Sequence, residues 1–176
     1  MAGGTSSIYT NKKGLRLRDE IHHLAHVNID EIEKPLERQE TQLAEFHCVL
    51  VDVGWLRENG GLDEQLLSTG EHWDMSMQAR LQGRSIFLEP NSKVTYTTPV
   101  EAYPEDLRWF NFRWNDAWNK ASINRLAEKY DLSNSRKGAR SKWRFLRNHQ
   151  ELRFIPMRKK LEKRYGKFWG DLIFRT

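Results

Sequence analysis

The sequence predicts a mixed α/β core followed by a helical, basic C-terminal extension, and three observations carry that prediction. Phe46 to Val53 is a compact run rich in Val and Leu, the composition of a buried strand. From Thr69 the pattern turns helical, with Trp73, Met77 and Leu81 four residues apart, and then alternates with period two at Ile86 and Leu88 and again at Val94 and Tyr96. Beyond Pro104, an apolar stripe at helical spacing runs through Leu107, Phe110, Trp114, Ala117, Ala121, Leu126 and Tyr130.

Taken in order, residues 1–45 read as an N-terminal excursion of loop with a short helix, because Asp30 to Glu45 has too few apolar residues to define a buried face. Residues 46–99 form the expected core. Within it, the Phe46 to Val53 strand belongs inside a sheet, and Gly60 with Gly61 marks a turn after Trp55 to Asn59. Ser68 or Thr69 is the expected N-cap of the next helix, and Gly83 its stop signal. Pro90 and Asn91 separate the two short strands. Residues 100–176 are expected to be helical, including much of Ser141 to Arg164, and no internal repeat interrupts the map.

A chain of 176 residues suits one domain with a modest core. Hydrophobic residues make up 38% and charged residues 30%, and no apolar run approaches the roughly 20 residues of a membrane span. The first residues, MAGGTSSIYTNKKG, lack the apolar segment of a signal peptide, and Cys48 alone forms no internal disulfide. A cytoplasmic setting is expected. The net charge of +5 is uneven: Asn134 to Thr176 carries 14 Lys and Arg against 3 Asp and Glu, and the remainder 15 against 21. Such a tail suits an anionic membrane surface or another phosphate-bearing partner, or is simply a solvated helix face; nucleic acid is not expected.

Glu71, His72 and Asp74 fall at the start of the predicted helix, where the helix dipole favours acids by about 0.3–1 kcal/mol each without any catalytic role. His22, His23 and His26 could meet a metal at helical spacing, yet no Cys or second acidic cluster completes the set, so a surface helix is expected there. His47 and Cys48 read as a packed pair in the apolar strand. Trp109, Phe110, Phe112, Trp114 and Trp118 are mostly core, with Trp109 exposed because it lies off the stripe.

The ordered segments GGLDE, TGEHWDMSMQARLQG and SIFLEPNSKVTY resemble the C-terminal half of family 2 glycosyltransferases of GT-A type, and AEFHCVLV at Ala44 to Val51 is similar to a subgroup with an EFHC strand and an EH-x-D helix. The likeness covers roughly Phe46 to Pro99 and extends more loosely to Leu132. It implies part of a Rossmann-like nucleotide-diphospho-sugar transferase sheet and a reaction in which a carboxylate at the helix start removes the proton of an acceptor hydroxyl. Direct displacement at the anomeric carbon then inverts that centre. Glu71 matches the first acid of the family's pair and His72 stands where the second acid would be, so either is a candidate base, while Asp74 orients a neighbour or binds an acceptor hydroxyl. Asp63 and Glu64 would line the acceptor pocket, with Trp73 and Trp109 as its aromatic candidates.

The same resemblance implies a donor-binding half with an acid pair holding the sugar diphosphate through Mg²⁺ or Mn²⁺. The chain has neither a DxD motif nor a preceding βαβαβ pattern, and Tyr96 stands where many relatives carry a histidine, so no metal ligand is transferred. The expected partners are therefore a nucleotide-sugar donor and a hydroxyl acceptor, the chain being either a truncated enzyme or one that depends on a separate donor-binding chain. The alternative is a non-catalytic binding module that docks on a membrane surface or protein through its basic tail.

Overall fold

Thr5, Ile8, Tyr9 and Thr10 favour an extended chain, and Gly4–Thr10 (β1) pairs antiparallel with Arg16–His22 (β2) in the computed structural model, which describes residues 3–25, 27–95, 103–133 and 146–166. The turn between them is set locally. Asn11 Oδ1 accepts from the backbone N–H of Lys13 at 2.9 Å and Leu15 at 3.0 Å, and Gly14 takes a φ of 73°. Register runs from Gly4 opposite His22 to Thr10 opposite Arg16. This hairpin stands where the sequence suggested loop; the short helix is only the 3₁₀ turn Ile29–Glu31. His22 ends β2 and His23 enters a turn, so the expected surface helix is absent there, and His26 lies outside the described residues.

The hairpin is also bound into the core. Buried Ser6 donates to the Gln42 carbonyl at 2.9 Å, and Arg80 Nη1 donates to the Ser6 carbonyl at 2.5 Å. The Gly4 carbonyl accepts from Gln42 N and from Thr41 Oγ1, each at 2.9 Å. Gln39–Thr41 (β3) then pairs antiparallel with Ile86–Leu88 (β4), with Glu40 opposite Phe87. The period-two alternation at Ile86 and Leu88 therefore does mark a strand, but its partner comes from 39–41. Val94 is exposed coil, and Tyr96 lies outside the described residues.

Phe46 to Val53 departs furthest from expectation. Residues 46–52 form turn and coil, and the helix Val53–Glu58 (α1) begins at the N-cap Asp52, whose carboxylate accepts from Trp55 N at 3.1 Å. Leu50 is 100% exposed, and Val49, His47 and Cys48 face solvent, so neither a buried strand nor a packed His–Cys pair forms. The composition favours a strand, but no neighbouring strand among the described residues offers it a ladder.

Glu71–Leu81 (α2) is the centre of the molecule, buried at Trp73, Asp74, Met75, Ser76, Met77 and Ala79. One side packs Trp73 and Met77 against Leu43, Leu126 and Tyr130; the other packs Met75 and Ala79 against Ala44 and Trp55. Leu81, expected on the apolar stripe, is exposed. The N-cap is Gly70 rather than Ser68 or Thr69, because those hydroxyls are used elsewhere: Ser68 Oγ donates to the Arg113 carbonyl at 2.9 Å and Thr69 Oγ1 to Asn119 Oδ1 at 3.3 Å. Gly70 has a φ of 97°, and a Cβ there would stand 2.6 Å from Leu126 Cδ1, so glycine answers both the left-handed turn and the close packing. Gly83, with a φ of 72°, follows the C-cap Gln82 as the stop signal predicted.

The long apolar stripe divides into Leu107–Arg113 (α3) and Asp116–Lys129 (α4), parted at Asn115, whose side chain caps α4 by accepting from Trp118 N at 2.7 Å. Phe110, Leu126 and Tyr130 are buried and Trp109 is 61% exposed, but of the other aromatic side chains expected in the core Phe112 is exposed and Trp114 and Trp118 are only half-buried, and Ala117 is exposed because α4 turns Asn119, Ser122 and Leu126 inward instead. Farther on, residues 146–151 and Ile155–Tyr165 are helical, while 134–145 lie outside the described residues. The described strands make two two-stranded sheets, which with these helices is a mixed α/β arrangement. No helix among the described residues is long and apolar enough to cross a membrane.

Candidate functional site

Residues 20 and 22 alternate on β2 and share one face, and that face meets the first turn of α2. Glu20 Oε1 lies 2.9 Å from His22 Nε2 and 3.1 Å from His72 Nε2. The other ring nitrogen of His22, Nδ1, meets Glu45 Oε1, and Glu45 Oε2 lies 3.1 Å from His47 Nδ1. Arg18 Nη2 approaches the second oxygen of Glu20 at 3.8 Å, and the guanidinium lies over the Trp73 ring, 5.2 Å from its centroid. Phe46 closes one side, edge-on to His72 at 6.2 Å between centroids.

The electrostatics follow from these contacts. Hydrogen bonds to Glu20 and then Glu45 outweigh partial burial and push the His22 imidazole up to about 9. Burial pushes the Glu45 carboxyl up, but the His22 bond and charge, aided by His72 and His47, hold it below its ordinary value. Burial pulls the Arg18 guanidinium down, and Glu20 partly restores it.

The acids and base predicted from the sequence separate into different environments. Asp74 is 1% exposed and spends both oxygens: Oδ1 accepts from Tyr130 Oη at 2.7 Å, and Oδ2 from Lys129 Nζ at 2.9 Å and Gln78 Nε2 at 2.7 Å. Burial first, then the Asp74 bond, push the Tyr130 phenol far above its ordinary value. Asp63 joins the same network through Arg125 at 2.8 Å and Lys129 at 3.4 Å. Glu64 is exposed. Trp73 is 0% exposed, its indole N–H donating to the Asp19 carbonyl at 3.3 Å and its ring edge-on to Tyr130 at 5.0 Å, so its surface is taken up by packing. Trp109 stands apart on α3.

Glu71 differs from all of these. Its Oε1 lies 3.5 Å from Arg113 Nη2, while Oε2 is buried and has no hydrogen-bond partner among the described residues. Arg18 Nη1 is likewise buried without a partner there, and it lies 3.4 Å from where a Cβ on Gly70 would stand. The sequence does not single out Glu20 or Glu45, and His22, a metal candidate there beside His23 and His26, meets Glu20 and His72 instead. The Glu20–His22 alternation within β2 is a local signal for that pair, and it carries meaning only once the hairpin is recognised.

No family model, no curated protein and no solved structure matches this chain. The site therefore rests on its own geometry.

The Mg²⁺ or Mn²⁺ diphosphate centre implied by the resemblance can be tested against the available ligands. Among the described residues, one cluster of His and acidic side chains brings ligand atoms within 4.8 Å of one another: Glu20, His22 and His72. Two imidazoles and one carboxylate do not fit Mg²⁺, which takes about six oxygens in a strict octahedron.

Proposed function

We propose that the chain is the acceptor-side half of an inverting glycosyltransferase, a partial GT-A fold in which Glu71 is the general base. The observation that carries this reading is the buried, unpartnered Oε2 of Glu71. Of the three candidates at the helix start, Asp74 has both oxygens engaged and His72 is held through Nε2 by Glu20. An acceptor hydroxyl offers one proton, and so complements a carboxylate oxygen that has no donor of its own. Glu71 Oε2 would take the hydroxyl proton as the acceptor oxygen bonds to the anomeric carbon, and the nucleoside diphosphate would leave with the electrons of the broken bond.

The donor site would come from a separate half. Support lies in the strand-like run at 46–52, whose Val49 and Leu50 face solvent with nothing paired to them among the described residues. The test begins with acceptors, because they need no donor half. Saturation-transfer NMR of the full chain with a panel of oligosaccharides should find binders that Glu71→Gln weakens, and transfer in the presence of a donor-binding chain should fall at least about 10²-fold in that variant. Tight, metal-dependent binding of a nucleotide sugar by this chain alone would overturn the split-enzyme reading. Unchanged transfer in Glu71→Gln would overturn the base.

A second reading has its own observation. The helix Ile155–Tyr165 has no buried residue, carries Arg158, Lys159, Lys160, Lys163 and Arg164, and exposes Met157 and Tyr165, with Phe154 exposed just before it. A basic helix with apolar residues suits a binding module on an anionic bilayer. Salt-sensitive binding to phosphatidylserine vesicles with undetectable sugar binding would favour that reading over catalysis.

A further inference from the structure

The cluster that does not fit Mg²⁺ fits a different ion. We infer that Glu20, His22 and His72 form a binding site for a divalent cation of the Zn²⁺ class, with Glu45 as its supporting carboxylate.

Both imidazoles point Nε2 at one oxygen of Glu20, at 2.9 and 3.1 Å, and all three ligand atoms lie within 4.8 Å of one another. Ligands bonded to zinc at about 2.0–2.2 Å in a tetrahedron stand about 3.3 Å apart, so an ion replaces these hydrogen bonds with small side-chain shifts. The second oxygen of Glu20 faces Arg18, leaving Oε1 to bind as a single ligand atom. Two nitrogens and one oxygen are a set that Zn²⁺, Co²⁺ or Ni²⁺ accept and that hard cations accept poorly.

The surroundings of the ligands hold them in place. A metal-bound histidine commonly passes its other nitrogen to a carboxylate, which fixes the ring and its tautomer. His22 has that arrangement, with Nδ1 against Glu45 Oε1, and Glu45 is in turn tied to His47. Phe46 adds an apolar wall beside His72. Two ligands come from β2 and one from α2, 50 residues later in the chain from His22 to His72, so the ion would pin the hairpin to the central helix. None of this depends on sugar transfer.

The experiment uses the tag-free full chain carrying Cys48→Ser, which removes the exposed thiol as a competing ligand. After treatment with chelator, Zn²⁺ and Mg²⁺ are titrated in by calorimetry, thermal unfolding is followed with each, and Co²⁺ is added for its ligand-field spectrum. Zn²⁺ should bind with 1:1 stoichiometry and raise Tm, and Mg²⁺ should do neither. His22→Ala and His72→Ala should each weaken Zn²⁺ at least about tenfold, and Glu45→Gln should weaken it about 10–100-fold although it removes no ligand atom. If an alanine variant does not fold, paramagnetic shifts in the Co²⁺-loaded parent decide: shifts centred on the His22 and His72 rings support the site, and shifts centred on His47 or His23 overturn it. Absence of 1:1 binding, or equal affinity in the His22→Ala/His72→Ala double variant, overturns it as well. Acceptor binding by Glu71→Gln reads the proposed function separately.

Discussion

Glu20 and His72 are 52 residues apart in sequence, yet the carboxylate and the imidazole Nε2 lie 3.1 Å apart. That contact fastens the N-terminal hairpin to the first turn of the central helix, beside the glutamate with the spare oxygen. The behaviour of the surrounding charges is testable.

In the metal-free chain His22 should remain protonated through neutral pH and titrate near 9, because Glu20 and Glu45 both favour the imidazolium. The folded value is raised, so its contribution to stability is fully present below the ordinary value of about 6.5 and is lost as pH rises through about 9. Two-dimensional ¹H–¹⁵N NMR of the imidazoles checks the titration. Glu45→Gln should move it downward, and unchanged titration would contradict the ion pair.

Tyr130→Phe should destabilise the chain by about 1–3 kcal/mol, since it leaves Asp74 Oδ1 buried without its hydroxyl donor. Urea unfolding at neutral pH measures this. The Tyr130→Phe/Lys129→Met double variant should cost less than the sum of the two single changes, because both side chains serve the same carboxylate.

Trp73→Ala should cost about 3–5 kcal/mol, as it empties the contact between α2 and α4. Trp109→Ala, at an exposed position, should change stability by less than about 0.5 kcal/mol. A comparison of urea midpoints separates the two tryptophans, which the family resemblance grouped together as aromatic candidates for the acceptor pocket.

Asp63 supplies the opposite pH dependence to His22. Burial pushes its carboxyl up, but hydrogen bonds from Arg125 and the Gln65 backbone, with the Lys129 charge, hold it below the ordinary carboxylate value. Its contribution is therefore present above the unfolded carboxylate value and is lost as pH falls through the lower folded value. Asp63→Asn should lower Tm at pH 7, and the gap from the parent should close as the solution is acidified.

Gly70→Ala should destabilise by more than about 1 kcal/mol, because the residue holds a φ of 97° and a methyl group would press on Leu126. Gly83→Ala tests the left-handed conformation without crowding, since a Cβ there meets nothing within 4 Å. A larger loss at Gly70 would confirm that packing, as well as backbone conformation, selects glycine.

By itself the sequence determined what depends on neighbours along the chain. The spacing of Trp73 and Met77, the stop at Gly83, the alternation of Ile86 and Leu88 and the off-stripe position of Trp109 all correspond to structure, because helical and strand periods are local properties. Only the tertiary structure decided which strand pairs with β4, that Val49 and Leu50 face outward, and that Asp74 is bound by Tyr130 and Lys129. It alone brought Glu20, His22 and Glu45 to His72. Strand pairing and side-chain meeting across some fifty residues follow from how the whole chain packs, and local spacing carries no record of that.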